Sequence, residues 1–183
     1  MSYFAAAVAR EPKGWTASQL DLGGVTDIDE VADRLREVGS GADVSLLFVE
    51  SDDQYLVILR LDDEDDLRIF GSDAAFAEES RLGALLLGDL GEPALELDDV
   101  IVEAPTEDDA PAGEDDEDAA PSPAVIVADI EPVGDPDLLL DLGIPAERLL
   151  KLCAHDGMLP ADVTAELCQT IGCSDEVEEL REE

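Results

Sequence analysis

At 183 residues, 45% of them hydrophobic but only 4% aromatic, the chain can bury one ordinary core, or a modest domain with a small satellite, built from aliphatic packing. Its 48 acidic residues against 10 basic ones give a formal net charge of −38. A surface of that sign repels phosphate backbones and anionic membranes and favours a basic partner: a cationic protein patch, a polyamine or a divalent cation.

The amino-terminal elements predict an α+β domain over residues 1–103. Tyr3 to Ala9 and Trp15 to Leu22 read as short strands around a Pro12-Lys13-Gly14 turn. Ile28, Val31, Ala32, Leu35 and Val38 recur at helical spacing and form one apolar stripe. Thr26 or Asp27 is placed to cap this helix, and Gly39 to end it in a left-handed conformation. Arg34 and Arg36 fall off the stripe and read as solvated. Val44 to Val49 and Tyr55 to Arg60 are nearly continuous apolar runs, expected in the middle of a sheet with both faces covered. Leu67 to Phe70 adds a third run, and together they predict an antiparallel meander. A second helix runs from a cap at Ser72 or Asp73 to about Leu87, with Phe76, Leu82, Leu85 and Leu86 on its buried side. Ala94 to Val102 reads as an edge strand or as the way out of the domain.

Composition then changes. From Pro105 to Pro123 the chain is Pro, Ala, Gly, Ser and acid, so residues 104–123 predict an acidic, self-repelling, disordered linker. Val125 to Val127 reads as a stray strand or a docking segment. Residues 124–183 predict a small helical domain with four short helices. The first opens at Asp135-Pro136 and stops at Gly143; the others begin at Pro145, Pro160, and Ser174 or Asp175. Val163, Leu167 and Ile171 share a face of the third; Val177 and Leu180 belong to the fourth.

Chemistry-bearing constellations are thin. Cys153, His155, Cys168 and Cys173 are zinc-ligand types, but their spacing matches no Cys-x-x-Cys knuckle or finger. Leu152-Cys153 and Leu167-Cys168 sit in apolar helical context, where a free thiol packs as a small hydrophobe. The run Asp62 to Asp66 lacks the central Gly and closing Glu of an EF-hand loop and reads as a solvated turn. A catalytic triad would have to recruit His155, the sole histidine, and no Gly-x-Ser-x-Gly elbow, Walker loop or dinucleotide fingerprint occurs. Catalytic, cofactor-binding and metal residues are therefore all expected to be none. Three cysteines close no paired disulfide framework, and Arg10 and Lys13 follow the short apolar start, the reverse of a secretory leader. No apolar run approaches a membrane span, so a cytoplasmic location is expected.

Three stretches carry a resemblance. Ser2-Tyr-Phe-Ala-Ala-Ala-Val-Ala-Arg10 with Gly14-Trp15 and Leu20-Asp-Leu22, then Ser80-Arg-Leu-Gly-Ala-Leu-Leu-Leu-Gly88, then Pro132-Val-Gly-Asp-Pro-Asp-Leu-Leu-Leu-Asp-Leu-Gly143, resemble the bacterial tRNA adenosine deaminase-associated proteins over most of the chain outside the acidic linker. The resemblance implies an accessory role beside a tRNA adenosine deaminase, and it carries no catalytic motif. Deamination itself needs His-x-Glu and Pro-Cys-x-x-Cys to hold zinc and move protons. Here His155 is followed by Asp156-Gly157, and no Cys-x-x-Cys exists. The leading expectation is a non-catalytic acidic interaction protein that engages a basic protein surface, with no direct nucleic-acid or membrane contact. A nucleic-acid mimic that inhibits an RNA-binding protein and a metal-binding protein using the tail thiols are the alternatives.

Overall fold

The computed structural model describes residues 3–62, 66–88, 90, 131–154 and 158–182. Among them, β1 (Tyr3–Glu11), β2 (Gly14–Gln19), β3 (Val44–Ser51), β4 (Tyr55–Asp62), β5 (Leu67–Gly71) and β6 (Val133–Gly134) form one antiparallel sheet in the order β2-β1-β3-β4-β5-β6. The helices are α1 (Ile28–Val38), α2 (Ala75–Glu79), α3 (Arg81–Leu87), α4 (Ala146–Cys153), α5 (Pro160–Ile171) and α6 (Ser174–Glu182). The fold is α+β. The expected edge strand at Ala94–Val102, the linker 104–123, Val125–Val127 and His155 lie outside the described residues.

Both faces of the sheet are covered, as the continuous apolar runs of β3 and β4 require. Side chains alternate across a strand, so Leu47, Val49, Val57 and Leu59 point to one face and Leu46, Phe48, Leu56 and Ile58 to the other. The first set packs with Val31 and Leu35 of α1, Phe76 of α2 and Leu86 of α3. The second packs with Leu138, Leu139, Leu149 of α4, Leu167 of α5 and Val177 of α6. In β1, Ala5 to Ala9 are at most 1% exposed. Their small side chains leave room for α1 on one side and α6 on the other.

The described residues form one compact unit. The tail helices, expected to make a small domain of their own over 124–183, instead complete the core of the amino-terminal sheet. Helices this short bury too little surface against one another, whereas the sheet offers them an apolar face.

Local features follow the sequence with specific departures. Asp27 caps α1 by accepting from the Glu30 N–H at 3.0 Å. Gly39 ends that helix at φ −97°, so it is not left-handed. Its missing side chain matters for space: a Cβ there would stand 2.2 Å from Ser45 Oγ on β3. The helix predicted from Ser72 or Asp73 to Leu87 is broken at Ser80, which is extended and turns its side chain back to accept from the Leu82 N–H at 3.2 Å. Asp73 does serve the start of α2, accepting from the Ala75 N–H at 2.9 Å. The first predicted tail helix is a turn ending in a 3-10 segment, Leu140–Leu142, and Gly143 stops it at φ 90° as expected. Strand β6 has no counterpart in the predicted elements. Gly134 holds it at φ +90°, where a Cβ would meet the Ile69 carbonyl at 2.1 Å.

Candidate interaction surface

The two charged side chains buried on the sheet face beneath α4–α6, Glu50 and Arg60, are paired within the chain. Arg60 continues the Leu56-Ile58 alternation of β4 onto that face and is 7% exposed. Its guanidinium donates to Asp62 Oδ1 at 2.8 and 2.9 Å, to the Leu138 carbonyl at 2.6 Å and to the Asp141 carboxylate, at 3.0 Å for Oδ2. The hydrogen bond from Arg60 holds the Asp141 carboxyl below its ordinary range. Toward the other end of the same face, Glu50 of β3 is 8% exposed and accepts from Arg181 of α6. Burial pushes the Glu50 carboxyl up, opposed by Thr164 and Arg181. Arg181 also lies 5.0 Å from the centre of the Phe4 ring. The sequence predicts neither contact; a charged residue that keeps the strand alternation on an otherwise apolar face is the signal that could have found Glu50 and Arg60.

Several other arginines are likewise engaged within the chain. Arg36 pairs with Asp33, Arg68 with Asp66 at 3.3 Å and Asp135 at 3.8 Å, and Arg148 with Glu166 at 3.2 Å. Arg34, read as solvated, donates to the Asp21 carbonyl in the loop before α1. Both outer helices carry exposed carboxylates. Helix α1 and its cap present Asp27, Asp29, Glu30 and Glu37 besides the paired Asp33; α6 presents Asp175, Glu178, Glu179 and Glu182. These are the two ends of the layering, so both outer surfaces are negative.

The tail thiols come together only in part. Cys168, in the last turn of α5, and Cys173, just beyond it, are both fully buried. The Cys173 N–H donates to the Cys168 carbonyl at 2.9 Å, and the Gly172 N–H to the same carbonyl at 2.8 Å, with Gly172 at φ 92°. The two cysteines thus form the apolar contact that accompanies a left-handed helix stop. A hydrogen bond to Cys173 and burial raise the Cys168 thiol, and burial pushes Cys153 up to about 12. Such thiols stay protonated and are poor nucleophiles. Cys153 belongs to the rim of the same core, and His155 lies outside the described residues. Among the described residues no three His, Cys, Asp or Glu side chains are grouped to hold a metal ion. An apolar groove of about 250 Å3 runs between Tyr3, Val25, Leu82 and Leu85, with Arg81 at its rim.

Among the described residues no helix is long and apolar enough to cross a membrane. No curated protein and no solved structure matches the chain. One family model, described as Rv3753c-like tRNA adenosine deaminase-associated protein, matches residues 3–174. That span takes in the sheet, both outer helix layers as far as the start of α6, and, apart from Ser2, the three stretches that carry the resemblance. The chain belongs to the Rv3753c-like tRNA adenosine deaminase-associated protein family.

Proposed function

We propose that the chain is a non-catalytic accessory protein of the cytoplasm that binds a basic surface of a tRNA adenosine deaminase through its exposed carboxylates. The observation that carries this reading is the distribution of charge. Basic side chains such as Arg60, Arg68, Arg148 and Arg181 are spent on the chain's own carboxylates, while α1 turns Asp29 and Glu37 outward and α6 turns Asp175, Glu178, Glu179 and Glu182 outward. An enzyme that grips tRNA needs cationic surface for the phosphates, and that surface is complementary to this one. The raised thiols supply no nucleophile, which supports a binding role over a catalytic one.

The test is a titration of the full chain against the purified deaminase over a series of salt concentrations. Binding that weakens steeply as salt rises is expected, because charge complementarity is screened. Absence of binding at low ionic strength would sink the reading. Adding tRNA separates accessory action from mimicry: an accessory leaves deamination equal or faster, whereas a mimic competes with tRNA and slows it.

A further inference from the structure

The sheet has one edge built without charge. Strand β2 reads Gly14-Trp-Thr-Ala-Ser-Gln19, with no acid and no base in a chain of net charge −38. Natural edge strands are commonly guarded by charge, Pro or a bulge against pairing with another chain. The far edge of the sheet is short and shaped by Gly134; β2 is six residues long.

The register shows which backbone groups are open. Leu20 N–H donates to the Ala5 carbonyl at 2.9 Å, beyond the ladder that pairs Ala7 with Ser18, Ala9 with Thr16 and Glu11 with Gly14. In an antiparallel ladder, directly bonded pairs alternate with unbonded ones. The inward-bonded positions are therefore Gly14, Thr16, Ser18 and Leu20, and the N–H and C=O groups of Trp15, Ala17 and Gln19 face away from β1. Among the described residues no hydrogen bond reaches them. The helix against this strand is α6, on which Val177 and Leu180 share the core that Trp15 and Ala17 border. Its exposed Asp175, Glu178, Glu179 and Glu182 therefore border the same side of the molecule.

We infer that the outer edge of β2 takes up an extended, basic segment of a partner protein as an additional strand, with main-chain hydrogen bonds from Trp15, Ala17 and Gln19 and cationic side chains drawn to the acids of α6. This mode, addition of a strand to an open edge, takes affinity from the backbone and selectivity from the alternating side chains. A second copy of this chain does not fit. Pairing two β2 strands about a twofold axis would bring two acidic α6 helices to the same face, and like charges there oppose association. The inference gives a docking mode to the accessory reading but is testable apart from it.

Proline supplies a selective block. At Ala17 it removes an outward N–H and leaves the β1 ladder intact, the one setting in which strands tolerate it. The probe is a soluble peptide alternating Lys and Thr, long enough to span β2, with a Glu-Thr peptide as control. Adding the Lys-Thr peptide to the full chain should shift the emission of Trp15, the sole tryptophan. It should also slow amide exchange at Trp15, Ala17 and Gln19, while Thr16 and Ser18, already bonded, stay unchanged. Ala17→Pro should bind roughly tenfold more weakly, from loss of one edge hydrogen bond and added bulk. Unchanged exchange at those three amides of the unmodified chain overturns the inference, as does equal affinity in a folded Ala17→Pro variant. With the deaminase as ligand, equal binding by both forms removes the edge and leaves the accessory reading standing. No deaminase binding by the unmodified chain removes the accessory reading, and the peptide experiment still decides the edge.

Discussion

The two faces of the sheet are covered by different means. The layer of α1, α2 and α3 comes from chain close in sequence to the strands it covers, and its polar ties to the sheet run through tyrosines: Tyr3 to Asp21 at 3.1 Å and Tyr55 to Glu79. The layer of α4, α5 and α6 arrives from far along the chain, and it is pinned by ions. Arg60 reaches Asp141 across 81 residues and Glu50 meets Arg181 across 131. A long connection adds little direction to where its far end lands, since closure entropy changes only slowly with length. Apolar packing by itself is also non-directional. Charge pairs at two places on the face, each with one buried member, Arg60 or Glu50, supply the register that the connection does not.

The largest expected effect tests whether these layers are one cooperative unit. Leu35→Ala beneath one layer and Leu167→Ala in the other should each cost about 2–5 kcal/mol, with a single unfolding transition in chemical denaturation. Two separate transitions would show that the layers fold independently. Next, Arg60→Ala should cost about 2–4 kcal/mol, less than a wholly buried pair because Asp141 is 57% exposed. Amide exchange should then quicken in α4–α6 before it does in α1.

Arg181→Met sharpens the pH side. It leaves the Glu50 carboxyl buried without its cation, so its folded pKa should stand further above the ordinary 4.5. A carboxyl raised on folding contributes stability below its unfolded pKa, and that contribution is lost as pH rises through the folded value. The deficit relative to the unmodified chain should therefore grow from pH 4 toward neutrality, and adding Glu50→Gln should flatten it; a deficit independent of pH would assign Arg181 a packing role over Phe4 alone. Asp141 behaves oppositely: lowered from 3.8 by Arg60, it stabilises above that value, and its contribution falls away as pH drops through the lowered pKa. The smallest expected effect is that of Asp141→Asn, about 1 kcal/mol at neutral pH, because the carboxylate side of that pair is largely solvated. Thermal melts over that pH range check both.

Features settled within a few residues were legible in the chain before any fold was known. The α1 stripe, the Asp27 cap, the Gly143 stop and the β3–β4 hairpin follow from side-chain period, capping hydrogen bonds and turn chemistry, and all are present. The net charge of −38, on which the proposed basic partner rests, also needed no fold. Tertiary structure alone decided that the tail helices join the sheet, that Arg60 and Glu50 are buried rather than solvated, and that a two-residue β6 exists. It also decided that Ser80 divides one predicted helix and that Gly39 is required for its closeness to Ser45 rather than for its dihedral angle. Those outcomes depend on which distant surfaces meet. No local period or cap encodes that meeting; burial and paired charge across 81 and 131 residues do.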